Sequence, residues 1–154
     1  MTACRAMSRH SPTGETLHHL MHAYKRALRD GYAEAGIALT VSQIRVLKSI
    51  AGLEQATAGA VGTRMRQDKG RITRLLQSLR AEGLVTDAPN PKDSRSRHLR
   101  LTAEGRALRQ RIAGIEEAAG DRMAAGLSSE TLAIFTQAAD AMIANLEPGP
   151  ADAQ

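Results

Sequence analysis

Aromatic side chains are scarce in this sequence: its 154 residues include two tyrosines, one phenylalanine and no tryptophan. Proteins that hold single-stranded RNA or DNA stack the bases on aromatic rings, so this scarcity disfavours that class. Proteins that read duplex DNA do not need such rings and remain compatible with the composition.

Cysteine and long apolar runs are also scarce. The single cysteine, Cys4, cannot form an intramolecular disulfide or a multi-cysteine zinc site, and this usage is typical of a reducing cytosol. No segment approaches the roughly 18 consecutive apolar residues of a membrane span, and Met1 to Ser11 lacks the apolar run of a signal peptide. We therefore expect a cytoplasmic protein with no membrane partner.

The sequence also lacks signatures of catalysis. It has no nucleotide-binding glycine loop, no metal-ligand pair beside a general base and no nucleophile elbow. We expect no catalytic residue, no metal, no cofactor and no enzymatic activity.

Positive charge is concentrated in one part of the chain. Residues 60–111 carry 13 Lys and Arg against 5 Asp and Glu, whereas the remainder carries 8 against 11. A basic block with acidic flanks is typical of a protein that meets phosphates with one surface. A solvated basic face explains the same counts equally well, so the motifs must decide.

A long helix and a shorter one are predicted in the N-terminal third of the chain. Thr13 to Ala35 shows an apolar stripe at helical spacing, and Gly36 ends it. Thr40 is placed to cap a second helix over Val41 to Ala51, whose inner face has Ile44, Leu47 and Ile50. The stripe of the first helix consists of Leu17, Leu20, Met21, Tyr24, Leu28 and Tyr32.

A helix-turn-helix pattern follows. Thr57 is placed to cap a short helix to about Met65, and Asp68 a second one over Lys69 to Glu82. The second helix turns apolar residues inward and long hydrogen-bond donors outward, as a helix in a major groove does. Its inward residues are Ile72, Leu75, Leu76 and Leu79. Its predicted DNA-binding residues are Lys69, Gly70, Arg71, Thr73, Arg74 and Gln77.

A strand, a polar turn and a second strand are predicted between Leu84 and Leu101. Asp93 is placed to orient the Arg95 guanidinium by a hydrogen bond. Arg95 and Arg97, on the same side of an extended chain, are placed to enter a narrow minor groove. Taken alone, such a hairpin is more simply an exposed turn with a weak ion pair. Joined to the helix pair, it favours DNA binding.

Three segments in this order resemble the MarR family of winged helix-turn-helix transcriptional regulators. They are LTVSQIRVLKSIA, RMRQDKGRITRLLQSLRAEGLV and PNPKDSRSRHLRLTAEGRAL, which together span about Leu39 to Leu108. The resemblance implies that Asp68 to Leu79 is the recognition helix and that Arg95 enters the minor groove with Asp93 holding it. It carries over no particular base contact, so the operator sequence stays open.

The C-terminal part returns to helix. Thr102 and Ser128 are placed to cap two helices whose apolar stripes exceed what one small domain needs. The family resemblance implies that these helices and the first one interlock two subunits, and a twofold dimer predicts a pseudo-palindromic DNA site. An intramolecular helical bundle is the alternative.

The predicted fold class is therefore mainly α with a small β-hairpin wing, a winged helix-turn-helix core flanked by dimerization helices. We expect an N-terminal tail and dimerization helix over 1–38 and the DNA-binding region over 39–101. Dimerization helices follow over 102–147 and a disordered tail over 148–154.

A small-molecule effector is the common mode of control in the family. Candidate lining residues are His18, His22, Tyr24, Arg45 and Arg109. His18 and His22 lie one helical turn apart beside His19, but a shared metal needs further ligands, for which His98 and Glu15 are only distant candidates. Thiol sensing through Cys4 and a protein without any effector are further alternatives.

Two functional hypotheses involve DNA. The favoured one is a homodimeric regulator, a repressor, that reads a pseudo-palindromic operator in double-stranded DNA. The alternative is a sequence-indifferent architectural DNA-binding protein, which the same basic face permits.

Overall fold

The computed structural model describes residues 12–147, which form six helices and one hairpin. Cys4 and the predicted tails at 1–11 and 148–154 lie outside the described residues. The fold class predicted from the sequence is confirmed. The elements are α1 Pro12–Glu34, α2 Val41–Gly52, α3 Ala58–Met65, α4 Lys69–Ala81, β1 Val85–Pro89, β2 Arg97–Leu101, α5 Ala103–Ala124 and α6 Ser129–Leu146.

Five helices begin at a side-chain cap. In each, the cap oxygen accepts the backbone N–H three residues further on, which satisfies a donor that the helix itself leaves free. At α2 the cap is reciprocal, because the Gln43 side chain also accepts the Thr40 backbone N–H at 2.7 Å. All five caps were predicted from the sequence: Thr40, Thr57, Asp68, Thr102 and Ser128.

The main core lies under α2, α3, α4 and the hairpin. Leu47, Leu76 and Leu79 are fully buried there, and Leu99 and Leu101 of β2 close it from the side of the hairpin. The inward faces predicted for α2 and α4 are confirmed, except that Leu75 is only partly buried. A second, smaller cluster of Tyr32, Ile37, Ile44 and Ile112 joins α1 to α2 and α5.

The hairpin is antiparallel and pairs Val85 with Leu101 and Pro89 with Arg97. The Leu99 N–H also donates to the Ala56 carbonyl at 2.7 Å, so β2 is held on both edges. At the start of α5, a Cβ on Gly105 would overlap the Leu84 carbonyl oxygen. Glycine at this position therefore lets α5 pack directly against the base of the hairpin.

The helices α1 and α6 leave apolar side chains in solvent. Leu17 is 55% exposed on α1, and α6 buries none of its residues. The exposed large apolar residues of α6 are Ile134, Phe135, Met142, Ile143 and Leu146. Within residues 12–147, the longest apolar stretch of a helix is too short or too charged to cross a membrane.

Candidate nucleic-acid interface

The exposed face of α4 is the first part of the candidate interface. All six residues predicted to read DNA from this helix are exposed. Asp68 accepts the Arg71 backbone N–H at 2.9 Å, and this bond is the main cause of a lowered pKa of its carboxyl. The first turn of α4 is thereby fixed, and its cationic side chains extend from a rigid support.

The turn before α4 is tight. Arg66 adopts a left-handed conformation, with φ of 52°, and is the one non-glycine residue with positive φ between residues 12 and 147. Its N–H contacts the carbonyls of Gly62 and Thr63, and the Gln67 N–H donates to the Gly62 carbonyl at 3.0 Å. These bonds close α3 and start α4 within three residues.

The wing tip corrects one prediction from the sequence. Asp93 Oδ1 accepts the backbone N–H of Arg95 at 2.9 Å, and no bond joins it to the Arg95 guanidinium among the described contacts. A short aspartate side chain reaches the N–H two residues ahead more easily than the end of a long arginine. Arg95 also lies in a turn whereas Arg97 begins β2, so the two do not alternate along one extended strand as expected.

A hollow of about 720 Å³ separates the wing from α3 and the start of α4. Arg95 and Arg97 line it from the wing, and Lys69 lines it from α4. The other five predicted DNA-binding residues of α4 lie outside it, whereas Arg80, near the end of α4, also lines it. Arg66 and Gln67, which were not among the predicted DNA-binding residues, line the hollow from the turn. Their place between two predicted helices within the basic block was the available signal.

None of the main hollows formed by residues 12–147 brings the five candidate effector residues together. Tyr24 lines a hollow of about 300 Å³ between α1 and α5, and Arg109 lines another of about 600 Å³ beside β2. His18, His22 and Arg45 are exposed and line neither. Among residues 12–147 there is no group of three His, Cys, Asp or Glu side chains placed to hold a metal ion.

Polar contacts to Glu116 of α5 join this helix to α1 and to α2. The Tyr32 hydroxyl donates to Glu116 Oε1 at 3.2 Å, and Lys48 Nζ lies 2.8 Å from Glu116 Oε2. Burial, followed by the neighbouring Glu116 charge and hydrogen bond, raises the pKa of Tyr32 to about 12. Tyr32 is therefore a neutral donor at physiological pH.

Comparison with known proteins supplies the family. Residues 39–96 match the family model described as MarR family, and this segment contains the helix-turn-helix and the wing tip. Over this segment the chain matches the MarR family, and solved MarR-family proteins share its winged helix-turn-helix fold. Comparison with the curated proteins gave no significant match.

Solved structures of MarR-family proteins share the fold over most of the chain. A MarR-family transcriptional regulator from Silicibacter pomeroyi is 25% identical, with a TM-score of 0.68 over 90% of this chain and 92% of its own. A cysteine-to-serine mutant of MarR from E. coli complexed with operator DNA is 23% identical, with a TM-score of 0.71 over 90% of this chain and 95% of its own. The PcaV transcriptional regulator from Streptomyces coelicolor, in complex with its natural ligand, is 23% identical, with a TM-score of 0.70 over 95% of this chain and all of its own (100%).

Proposed function

We propose that this MarR-family transcriptional regulator acts as a homodimeric repressor that binds a pseudo-palindromic operator in double-stranded DNA. The observation that carries the proposal is the cationic concave surface formed by the exposed face of α4 and the wing arginines, with Lys69, Arg95 and Arg97 around one hollow. A surface of this shape and charge is complementary to a phosphate backbone that passes between two grooves.

In this proposal α4 enters the major groove. Lys69, Arg71 and Arg74 supply charged donors, and the remaining contacts come from Gly70, Thr73 and Gln77, all exposed. Arginine pairs with guanine edges and glutamine with adenine edges, whereas lysine and threonine also suit phosphates.

The wing then contacts the adjacent minor groove through Arg95 and Arg97. Asp93 has a different part from the one expected, because its carboxylate is occupied by the Arg95 backbone N–H. It fixes the turn and leaves the Arg95 guanidinium available for the DNA. Arginine inserted in a narrow minor groove gains from the negative potential there.

The second subunit is placed on the helical ends of the chain. The exposed apolar residues of α1 and α6 support dimerization helices over 1–38 and 102–147 and a DNA-binding region over 39–101. A twofold axis would set two copies of α4 about 34 Å apart, one turn of DNA. Sedimentation velocity should give twice the mass of one chain, and a monomer at micromolar concentration would contradict the dimer.

A small-molecule effector would act at the junction between the dimerization helices and the DNA-binding region. We place His18, His22, Tyr24, Arg45 and Arg109 there as candidate contacts, to be brought together only in the dimer. The ligand-bound structure from Streptomyces coelicolor supports this mode of control. Such a ligand lowers DNA affinity only to the extent that it prefers the conformation that does not bind DNA.

The first experiment is a salt-series titration on DNA from upstream of the protein's own gene, beside a shuffled duplex of equal length. A regulator should prefer its site by about a thousandfold or more, and affinity should fall steeply with salt. Equal binding to both duplexes would favour an architectural protein, and a flat salt response would contradict the phosphate-binding surface itself.

Arg95→Ala is the decisive variant in that titration. We expect it to weaken binding to the site by about 1–3 kcal/mol per subunit, since each subunit of the proposed dimer loses one charged groove contact. Arg100→Ala is the matched control. It removes the same charge from β2, but at a residue that lines the hollow of about 600 Å³ beside β2 and not the one between the wing and α4. Equal losses for the two variants would show that only the overall charge matters.

A further inference from the structure

A two-pronged ion pair joins the end of α4 to the wing. Arg80 Nε lies 2.8 Å from Asp87 Oδ2, and Arg80 Nη2 lies 2.8 Å from Asp87 Oδ1. The two side chains are only 35% and 22% exposed. A planar guanidinium held by both carboxylate oxygens has a fixed direction, unlike most surface ion pairs.

This pair connects two parts that are otherwise joined at one end. Arg80 is in the last turn of α4, and Asp87 is in the middle of β1, opposite Leu99. At the base of the hairpin, Leu84 and Val85 are buried and the Leu84 N–H bonds to the Leu79 carbonyl. A two-stranded hairpin has little stability of its own, and two contacts hold its middle: the Leu99 N–H bond to the Ala56 carbonyl on the side of β2, and the Arg80–Asp87 pair, which ties β1 to α4.

The same two residues border the surface proposed to meet DNA. Arg80 and Asp87 line the hollow together with Lys69, Arg95 and Arg97. Because the Asp87 carboxylate neutralises Arg80, the pair adds little net charge to this surface. Its contribution there is geometric: it sets the distance between the wing arginines and α4.

We propose that Arg80 and Asp87 are positioning residues that hold the wing at the angle at which α4 and Arg95 engage their two grooves together. This proposal rests on the DNA-binding function proposed above. A positioning role and a pure charge effect predict opposite changes in DNA affinity for Asp87→Ala. Asp87→Ala makes the protein more positive, which strengthens binding to DNA by charge alone, whereas loss of positioning weakens it.

The binding experiment uses the full-length dimer and the operator duplex. We expect Arg80→Ala and Asp87→Ala each to weaken site-specific binding about tenfold. The exchanged pair, Arg80→Asp with Asp87→Arg, should recover most of that loss. In a background that carries both Arg95→Ala and Arg97→Ala, the same substitutions should have little further effect, because the wing arginines no longer contribute. Arg100→Ala controls for charge, and Asp87→Asn replaces Asp87→Ala if the latter does not fold.

A second measurement needs no DNA. In a Cys4→Ser background, spin labels at Val41→Cys and Ser94→Cys report the distance from α2 to the wing tip by double electron–electron resonance. The labelled chain is mixed with an excess of unlabelled Cys4→Ser chain, so that few dimers carry labels on both subunits. Arg80→Ala and Asp87→Ala should broaden this distance distribution, the exchanged pair should narrow it again, and Arg100→Ala should leave it unchanged.

The outcomes separate the two proposals. An unchanged distance distribution, or tighter binding by Asp87→Ala, overturns the positioning role of the pair. A wild-type protein without site preference overturns the proposed function instead, and in that case the distance distribution alone decides whether the pair fixes the wing.

Discussion

Two regions of the molecule differ in how much of their apolar surface is buried. They are the winged lobe, residues 39–101, and the helical arms, α1 and α6. In the winged lobe, Leu47, Leu76 and Leu79 are enclosed within the chain itself. On the arms, Leu17, Ile143 and Leu146 are 55%, 55% and 83% exposed. The winged lobe therefore has a complete core of its own, whereas the arms present the kind of apolar surface that marks an interaction site.

The junction between the two regions combines apolar and polar contacts. Tyr32 and Ile112 pack together, and Glu116 on α5 contacts both Tyr32 and Lys48 of α2. The winged lobe is thus attached to α1 and to the middle of α5 through this small cluster, whereas the start of α5 packs against the base of the hairpin. A motion of the arms would reach α2, and through it α4, at this place.

The largest expected difference between the regions is in the free energy of unfolding. Leu76→Ala should lower it by about 2–5 kcal/mol, because it opens a cavity in a closed core. Leu146→Ala should change it by less than about 0.5 kcal/mol in the isolated chain. Urea unfolding at several protein concentrations measures both. Equal decreases in the free energy of unfolding would contradict the difference between the two regions. A decrease for Leu146→Ala that depends on protein concentration would place α6 in a subunit interface.

The caps of α5 and α6 should differ in the same direction, by smaller amounts of the free energy of unfolding. Thr102 caps α5 and also donates to the Gly83 carbonyl at 2.6 Å, so it ties the helix to the base of the wing. Ser128 caps α6 through the Thr131 N–H. We expect Thr102→Ala to lower the free energy of unfolding by about 1–2 kcal/mol and Ser128→Ala by about 0.5–1 kcal/mol. The reverse order in thermal unfolding would show that α6 is the more firmly built helix.

The smallest effect at neutral pH concerns Tyr32, at the junction. Tyr24→Phe leaves Tyr32 as the only tyrosine, so ultraviolet absorbance reports its ionisation alone. The pKa should be about 12 in the folded protein, against 10.0 for the ordinary side chain. The folded state thus favours neutral Tyr32; this stabilisation is present below pH 10 and is lost as pH rises towards 12.

Glu116→Gln tests the cause of this shift. The pKa of Tyr32 should fall but stay above 10.0, because burial is the larger cause and the Glu116 charge the second. Circular dichroism at each pH confirms that the protein is still folded. A folded variant whose midpoint stays near 12 would contradict the contact between Tyr32 and Glu116, and a midpoint near 10 would contradict burial as the larger cause.

Local signals predicted most of the elements. A cap such as Thr57 or Asp68 acts on an N–H three residues away, so its effect can be read from the sequence. The hairpin was placed correctly, but β1 runs to Pro89, further than the apolar residues indicated, because Asp87 and Ala88 pair with β2. Strand pairing depends on the partner strand, which a local pattern does not contain.

The candidate site was predictable in its residue types but not in its contacts. The exposed face of α4 followed from helical spacing. The contact of Asp93 did not, because the sequence allows both the Arg95 backbone and its guanidinium as partners, and turn geometry selects the backbone. The candidate effector residues all have side chains that can donate hydrogen bonds to a ligand, yet Tyr24 and Arg109 line separate hollows of the chain.

The starts of the helices, their apolar faces and the position of the positive charge follow from the sequence alone, since all three depend on neighbours a few residues apart. The tertiary structure was needed to see that Arg95 and Arg97 share a hollow with Lys69, that Arg80 bonds to Asp87, and that α6 buries none of its side chains against the rest of residues 12–147. These features join residues whose approach is set by the packing of whole elements, and that packing follows from the complete core and not from any one segment of the sequence.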